Sequence, residues 1–172
     1  SRGLGDVYKR QLMDCRSAYA NKLQGELRMA FPQYIGIFSK VTTNTSLTLL
    51  ETYASPKALI DADEQEVIRI IKSTARFGLK YAENKYNAII KAANDANEFG
   101  CISYSNIIRI RLYISFIRKY DEEISRLLET MKQLVKANED TEFVRQLKLI
   151  ETFKGAGFLS AISLMAEIGD FS

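Results

Sequence analysis

The chain has 172 residues, 47% hydrophobic and 26% charged, which suits one globular unit or part of one. Its formal net charge of +3 is too small to point to nucleic acid, so any basic surface has to come from local clustering. Histidine is absent and the two cysteines, Cys15 and Cys101, stand far apart without metal-ligand spacing, which excludes His-based triads, His general bases and His-ligated zinc. The cysteines are expected to be reduced and half-buried, in a cytoplasmic protein. No apolar run is long enough to span a bilayer and no secretory signal is visible, so no membrane partner is expected.

Residues 1–11, Ser-Arg-Gly-Leu-Gly-Asp-Val-Tyr-Lys-Arg-Gln, resemble the translation of a sequencing adapter that ends in a transposon mosaic end. They are expected to be a scar outside the fold. Beyond them only Pro32 and Pro56 interrupt the chain, and apolar residues recur every three or four positions, so the expected fold class is all-α.

Residues 12–100 read as a region of short helices. The first covers about 12–30, with Leu12, Cys15, Tyr19, Leu23 and Leu27 on one face, and Pro32 interrupts it. Tyr34, Ile35, Ile37 and Phe38 suggest a short helical piece. A polar loop, 39–45, leads to a helix capped by Asn44 or Thr45 that carries Leu47, Leu49, Leu50 and Tyr53. Ser55-Pro56 is an N-cap followed by proline at the first helical position. Asp63, with Glu66 three residues on, forms a capping-box pattern ahead of Val67, Ile70 and Ile71. The acidic group Asp61, Asp63, Glu64 and Glu66 is therefore assigned to capping and the helix dipole rather than to a metal. A break at Arg76-Phe77-Gly78 precedes a helix over about 80–96, and Gly100 is the natural positive-φ stop.

Residues 101–139 form the longest element. Ile107, Ile110, Ile114, Ile117, Asp121, Ile124, Leu128, Met131 and Val135 alternate in steps of three and four, a coiled-coil-type seam over about four heptads. Asp121 puts a charge in one core-type slot. Two arrangements satisfy this pattern: packing inside the chain against the first helix, or self-association as a homo-oligomer.

Residues 140–172 read as two helices joined by a glycine turn. Phe143, Leu147 and Ile150 precede Gly155 and Gly157, and Leu159, Ile162, Leu164, Met165 and Ile168 follow. Glycine tolerates the positive φ of so tight a turn, and bare glycine N–H groups at a helix start seat phosphate. This is a helix-hairpin-helix that grips a nucleic-acid backbone through Lys154, Gly155 and Gly157, or an ordinary αα-hairpin. Two other basic groupings could touch phosphate: Lys72, Arg76 and Lys80 around Phe77-Gly78, and Arg109, Arg111, Arg118 and Lys119 off the seam. The first adds an aromatic for stacking.

The ending Phe153-Lys-Gly-Ala-Gly-Phe-Leu-Ser-Ala-Ile-Ser-Leu-Met-Ala-Glu-Ile-Gly-Asp170 resembles the start of the C-terminal domain of the bridge-RNA-guided insertion-sequence transposases, the "one-hundred-and-ten" family, relatives of the Piv invertase. Ala166-Glu-Ile-Gly-Asp170 matches its pattern in full, while Lys154 and Ala156 replace the usual proline and isoleucine. Asn21-Lys22-Leu23 with Phe31-Pro32, and Leu49-Leu50-Glu-Thr-Tyr-Ala-Ser-Pro56-Lys-Ala-Leu59, are similar to its linker segments. The resemblance implies an internal fragment of a transposase that binds DNA and a guide RNA and assembles with copies of itself. It also implies a magnesium-binding acidic set and a nucleophilic serine in the parent enzyme, outside residues 12–172, so no catalytic residue and no cofactor is assigned here. The rival expectations are a non-enzymatic helix-hairpin-helix accessory module and an all-helical scaffold.

Overall fold

The computed structural model describes residues 4–99 and 102–137. Six α-helices and one 3-10 turn make up the described residues, with no strand among them. The helices are α1 (Leu4–Ala30), α2 (Asn44–Thr52), α3 (Pro56–Asp61), α4 (Glu64–Ala75), α5 (Leu79–Phe99) and α6 (Tyr104–Ala137), with the 3-10 turn at Pro32–Tyr34.

Helix α1 starts at Leu4, eight residues ahead of the expected start at Leu12. No proline lies between Leu4 and Gln11, and a weak helix former such as Gly5 is least costly in the first turn. Leu12, Leu23 and Leu27 are buried, as expected, but Cys15 is exposed rather than half-buried. At 3.6 residues per turn Cys15 lies about 60° round the helix from Leu12, at the edge of the stripe. Cys101 lies outside the described residues.

Pro32 ends α1 by opening the 3-10 turn. The helical piece expected over Tyr34–Phe38 does not form. Gly36 adopts φ 94°, which sends the chain into the following loop while Tyr34 and Phe38 still reach the core. Each of the next three helices starts on a side-chain cap. The Thr43 hydroxyl accepts from the Ser46 N–H at 3.3 Å, so Thr43 caps the helix in place of the expected Asn44 or Thr45. Ser55 accepts from the Ala58 N–H at 3.1 Å ahead of Pro56, and Asp63 accepts from the Glu66 N–H at 2.9 Å. Glu66 turns to Arg69 instead of closing the capping box. At α6, Ser103 and Asn106 cap one another: the Ser103 N–H donates to Asn106 Oδ1 at 2.9 Å, and the Asn106 N–H to Ser103 Oγ at 3.3 Å.

The chain divides into two compact units. Residues 18–117 hold a single hydrophobic core. In it α5 packs against α3, α4 and the 3-10 turn, and α2 packs against α4. Four of the five buried residues of α5 are alanines, Ala82, Ala92, Ala93 and Ala96, which let neighbouring backbones come close. Glu26 is buried here, 5% exposed, and its carboxylate is held by Asn106 Nδ2 at 2.7 Å and Arg109 Nε at 2.9 Å. The second unit comprises residues 1–17 and 118–172, of which 4–17 and 118–137 are described. Both guanidinium nitrogens of a fork on Arg16 engage the Asp121 carboxylate. Lys119, Glu123 and Arg126 form a surface ion-pair ladder along α6. No helix among the described residues is long and apolar enough to cross a membrane.

Candidate nucleic-acid interface

The α4–α5 turn collects the chemistry of the first unit. Helix α4 stops because Arg76 takes the left-handed conformation at its C-cap, φ 57° and ψ 23°. A non-glycine residue there is strained, and the strain turns the chain sharply enough for α5 to return along α4. Lys72, Arg76 and Lys80 are all exposed around this turn, and none has an ion-pair partner among the described residues. From Lys72 to Lys85 the sequence carries four cations and one carboxylate, Glu83.

Aromatic rings sit among these cations. Phe77 is 59% exposed and packs on Tyr81 with ring centroids 4.4 Å apart. Lys85 lies 5.5 Å from both the Tyr81 and the Phe38 rings and donates to the Ile37 carbonyl. Phe38, Phe77 and Tyr81 form one wall of a cavity of about 230 Å³. The polar part of its wall comes from Ser39, Thr43, Asn44, Thr45 and Thr74. The Thr74 hydroxyl bonds Thr45 at 2.8 Å and the Ile70 carbonyl at 2.7 Å, which ties the start of α2 to the end of α4 and fixes that wall.

The two ends of α4 differ in charge. Glu64, Glu66 and Asp63 crowd its N-terminus. Burial first, and then these carboxylates, raise the Tyr53 and Tyr86 phenols above their ordinary range. Hydrogen bonding to Arg69 lowers Glu66. Carboxylates thus gather at one end of α4, and the cations Lys72 and Arg76 at the other.

The other basic grouping is largely engaged inside the chain. Arg109 binds Glu26, Lys119 faces Glu122 and Glu123 at 3.6 and 3.3 Å, and Arg118 has an interaction of its own. Lys154, Gly155 and Gly157 lie outside the described residues. Of the seam, Ile110, Ile114 and Ile117 are fully buried in the core of residues 18–117, with Ile107 packed against it. Asp121 is paired with Arg16, and Ile124, Leu128, Met131 and Val135 are half-exposed. Asp63 caps α4, and Asp61 and Glu66 pair with Lys57 and Arg69. No three His, Cys, Asp or Glu side chains among the described residues converge as a metal-binding set.

Lys72, Arg76, Phe77 and Lys80 were expected at this turn from the sequence; the structure places Phe38, Thr43–Thr45, Thr74, Tyr81 and Lys85 near them, which the sequence reading did not assign to a site. Phe77, Tyr81 and Lys85 follow one another at steps of four, a signal present in the sequence. The polar wall has no such signal, because only folding brings residues 39–45 beside Thr74. No family model, curated protein or solved structure matches the chain.

Proposed function

We propose that this chain is the helical linker region of a DNA-transposing enzyme and that the α4–α5 turn is one place where it holds a nucleic-acid backbone. The observation that carries this reading is the coincidence, at one strained turn, of three cations with no ion-pair partner among the described residues and an exposed ring, Phe77, packed on the half-buried Tyr81. Phe77 keeps 59% of its surface exposed beside these cations, which leaves its ring open to stacking. Cations that neutralise phosphate, beside a ring that stacks on a base, are what a backbone-tracking site needs.

The resemblance supplies the wider frame: DNA and guide RNA as partners, a homo-oligomeric assembly, and magnesium held by acidic residues of the parent enzyme. The sustained spacing of Ile124, Leu128, Met131 and Val135, half-exposed on α6, supports self-association there rather than along the buried first half of the seam. Lys154, Gly155 and Gly157, outside the described residues, would add a second backbone contact if the hairpin expected from the sequence forms there.

The test is fluorescence anisotropy of the whole chain with labelled DNA and RNA across a salt series. Binding should weaken as salt rises, and removing one of the three cations should reduce the slope of log affinity against log salt by about 0.7–0.9. Arg76→Gly is the sharpest variant. Glycine accepts positive φ without strain, so stability should hold or rise by up to about 1 kcal/mol while binding falls. Absence of salt-sensitive binding, or full retention of it in Arg76→Gly and Lys80→Ala together, overturns the proposal.

A further inference from the structure

We infer that the cavity beside Phe77 receives a single unpaired base, so that this site takes single-stranded nucleic acid in preference to duplex. The inference rests on the nucleic-acid reading above and narrows it to one class of ligand.

Three features of the cavity select the occupant. Its volume of about 230 Å³ falls below the ~300–1,000 Å³ usual for pockets that enclose a drug-sized ligand, so it admits one planar ring system and not a dinucleotide. One wall is aromatic, with Phe77 standing out from the core as a free stacking face and Tyr81 fixing it from behind. The rest of the lining is mainly polar, from Ser39, Thr43, Asn44, Thr45 and Thr74, which suits a heteroaromatic base better than a hydrocarbon. The cations stand at the same turn, where phosphates flanking an inserted base would lie.

Geometry then decides between strand types. Inside a duplex both faces of every base are covered by its neighbours, so none can lie on Phe77 without leaving the stack. The cost of everting it offsets the gain from stacking on protein. In a single strand that cost is small, and the gain is kept. Stacking is indifferent to base identity, because every base has a π-face.

The experiment uses the whole chain with three labelled probes: a short oligothymidylate, a short oligouridylate, and a duplex of equal length. At low salt at least one single strand should bind about tenfold or more tighter than the duplex. Whichever of the two binds tighter identifies DNA or RNA as the source, and either supports the inference. Phe77→Ala, at an exposed position where the fold is not at stake, should erase the preference and leave the salt slope unchanged. Arg76→Gly should do the reverse, lowering the slope and keeping the preference. Equal binding of duplex and single strands, or a preference that survives Phe77→Ala, overturns the inference and leaves the backbone-binding proposal standing. Failure of all three probes to bind removes both.

Discussion

In the first half of α6, Ile110, Ile114 and Ile117 are fully buried, whereas Ile124, Leu128, Met131 and Val135 in the second half keep the same spacing and stay half-exposed. One periodic pattern thus has two outcomes. In residues 18–117 the isoleucines join a core supplied by α1, α2, α4 and α5. In the second unit Asp121 occupies the slot just after Ile117 and is satisfied by Arg16. Heptad spacing identifies the apolar face of a helix, but says nothing about what covers it. Cover depends on the surface that other elements bring.

Four measurements sharpen or break this contrast. The largest effect is expected at Ile114. Ile114→Ala removes a fully enclosed side chain and should cost about 3 kcal/mol in chemical denaturation, against less than about 1 kcal/mol for Leu128→Ala at low concentration. Equal costs would mean that the second half is buried too. If that loss grew with protein concentration, the cover would be a second copy.

Next comes Glu26. Its carboxylate is buried on the first-unit side of the contrast, and Glu26→Ala strands Arg109 and Asn106. Because Arg109 keeps 42% of its side chain exposed, water screens part of the loss, and about 2 kcal/mol is expected rather than the ~3–5 kcal/mol of a fully buried pair. A loss under half a kcal/mol, or so, would show the clasp to be incidental.

Alkaline pH probes the same core by another route. Burial, only partly offset by the Ser46 hydrogen bond, pushes the Tyr34 phenol well above its ordinary range. The unfolded chain releases this proton near pH ~10 and the folded chain does not. Stability should therefore be unaffected by Tyr34 below about pH 10 and fall above it by about 1.4 kcal/mol per pH unit. Tyr53 and Tyr86, also raised, add in the same direction. In Tyr34→Phe the decline should become shallower, and an unchanged alkaline limb in urea titrations would contradict the assignment.

The smallest effect belongs to Asp121. Arg16 and Asp121 are both partly exposed, so Asp121→Asn should cost less than about 1 kcal/mol. Asp121→Leu makes the seam continuous and should favour self-association in sedimentation, if the polar slot limits it. No change in mass would separate Asp121 from assembly.

The helix starts were legible at Ser55 and Asp63 because a capping residue acts on a backbone amide only three positions away, and local sequence contains both partners. At α2 the cap moved to Thr43, since Thr45 is drawn inward to Thr74, which lies 29 residues along the chain. Cys15 was misplaced for a similar reason: a residue at the edge of a helical stripe is buried or bare according to the width of the neighbour it meets. The basic turn was half legible. Lys72, Arg76, Phe77 and Lys80 are near in sequence, while much of the cavity lining beside Phe77 comes from residues 38–45.

By itself the amino-acid sequence determined that the described residues are helical without strands, the places where most helices stop and start, and which residues of α6 share a face. These follow from interactions within one or two helical turns, where propensity, capping and periodicity act directly. Only the tertiary structure decided that Ile110–Ile117 are enclosed within the chain, that Glu26 rather than phosphate takes Arg109, and that Phe77 borders a cavity. Each of those outcomes depends on atoms from distant segments meeting within a few ångströms, and solvent exclusion at such a contact is a property of the assembled surfaces, not of either segment alone.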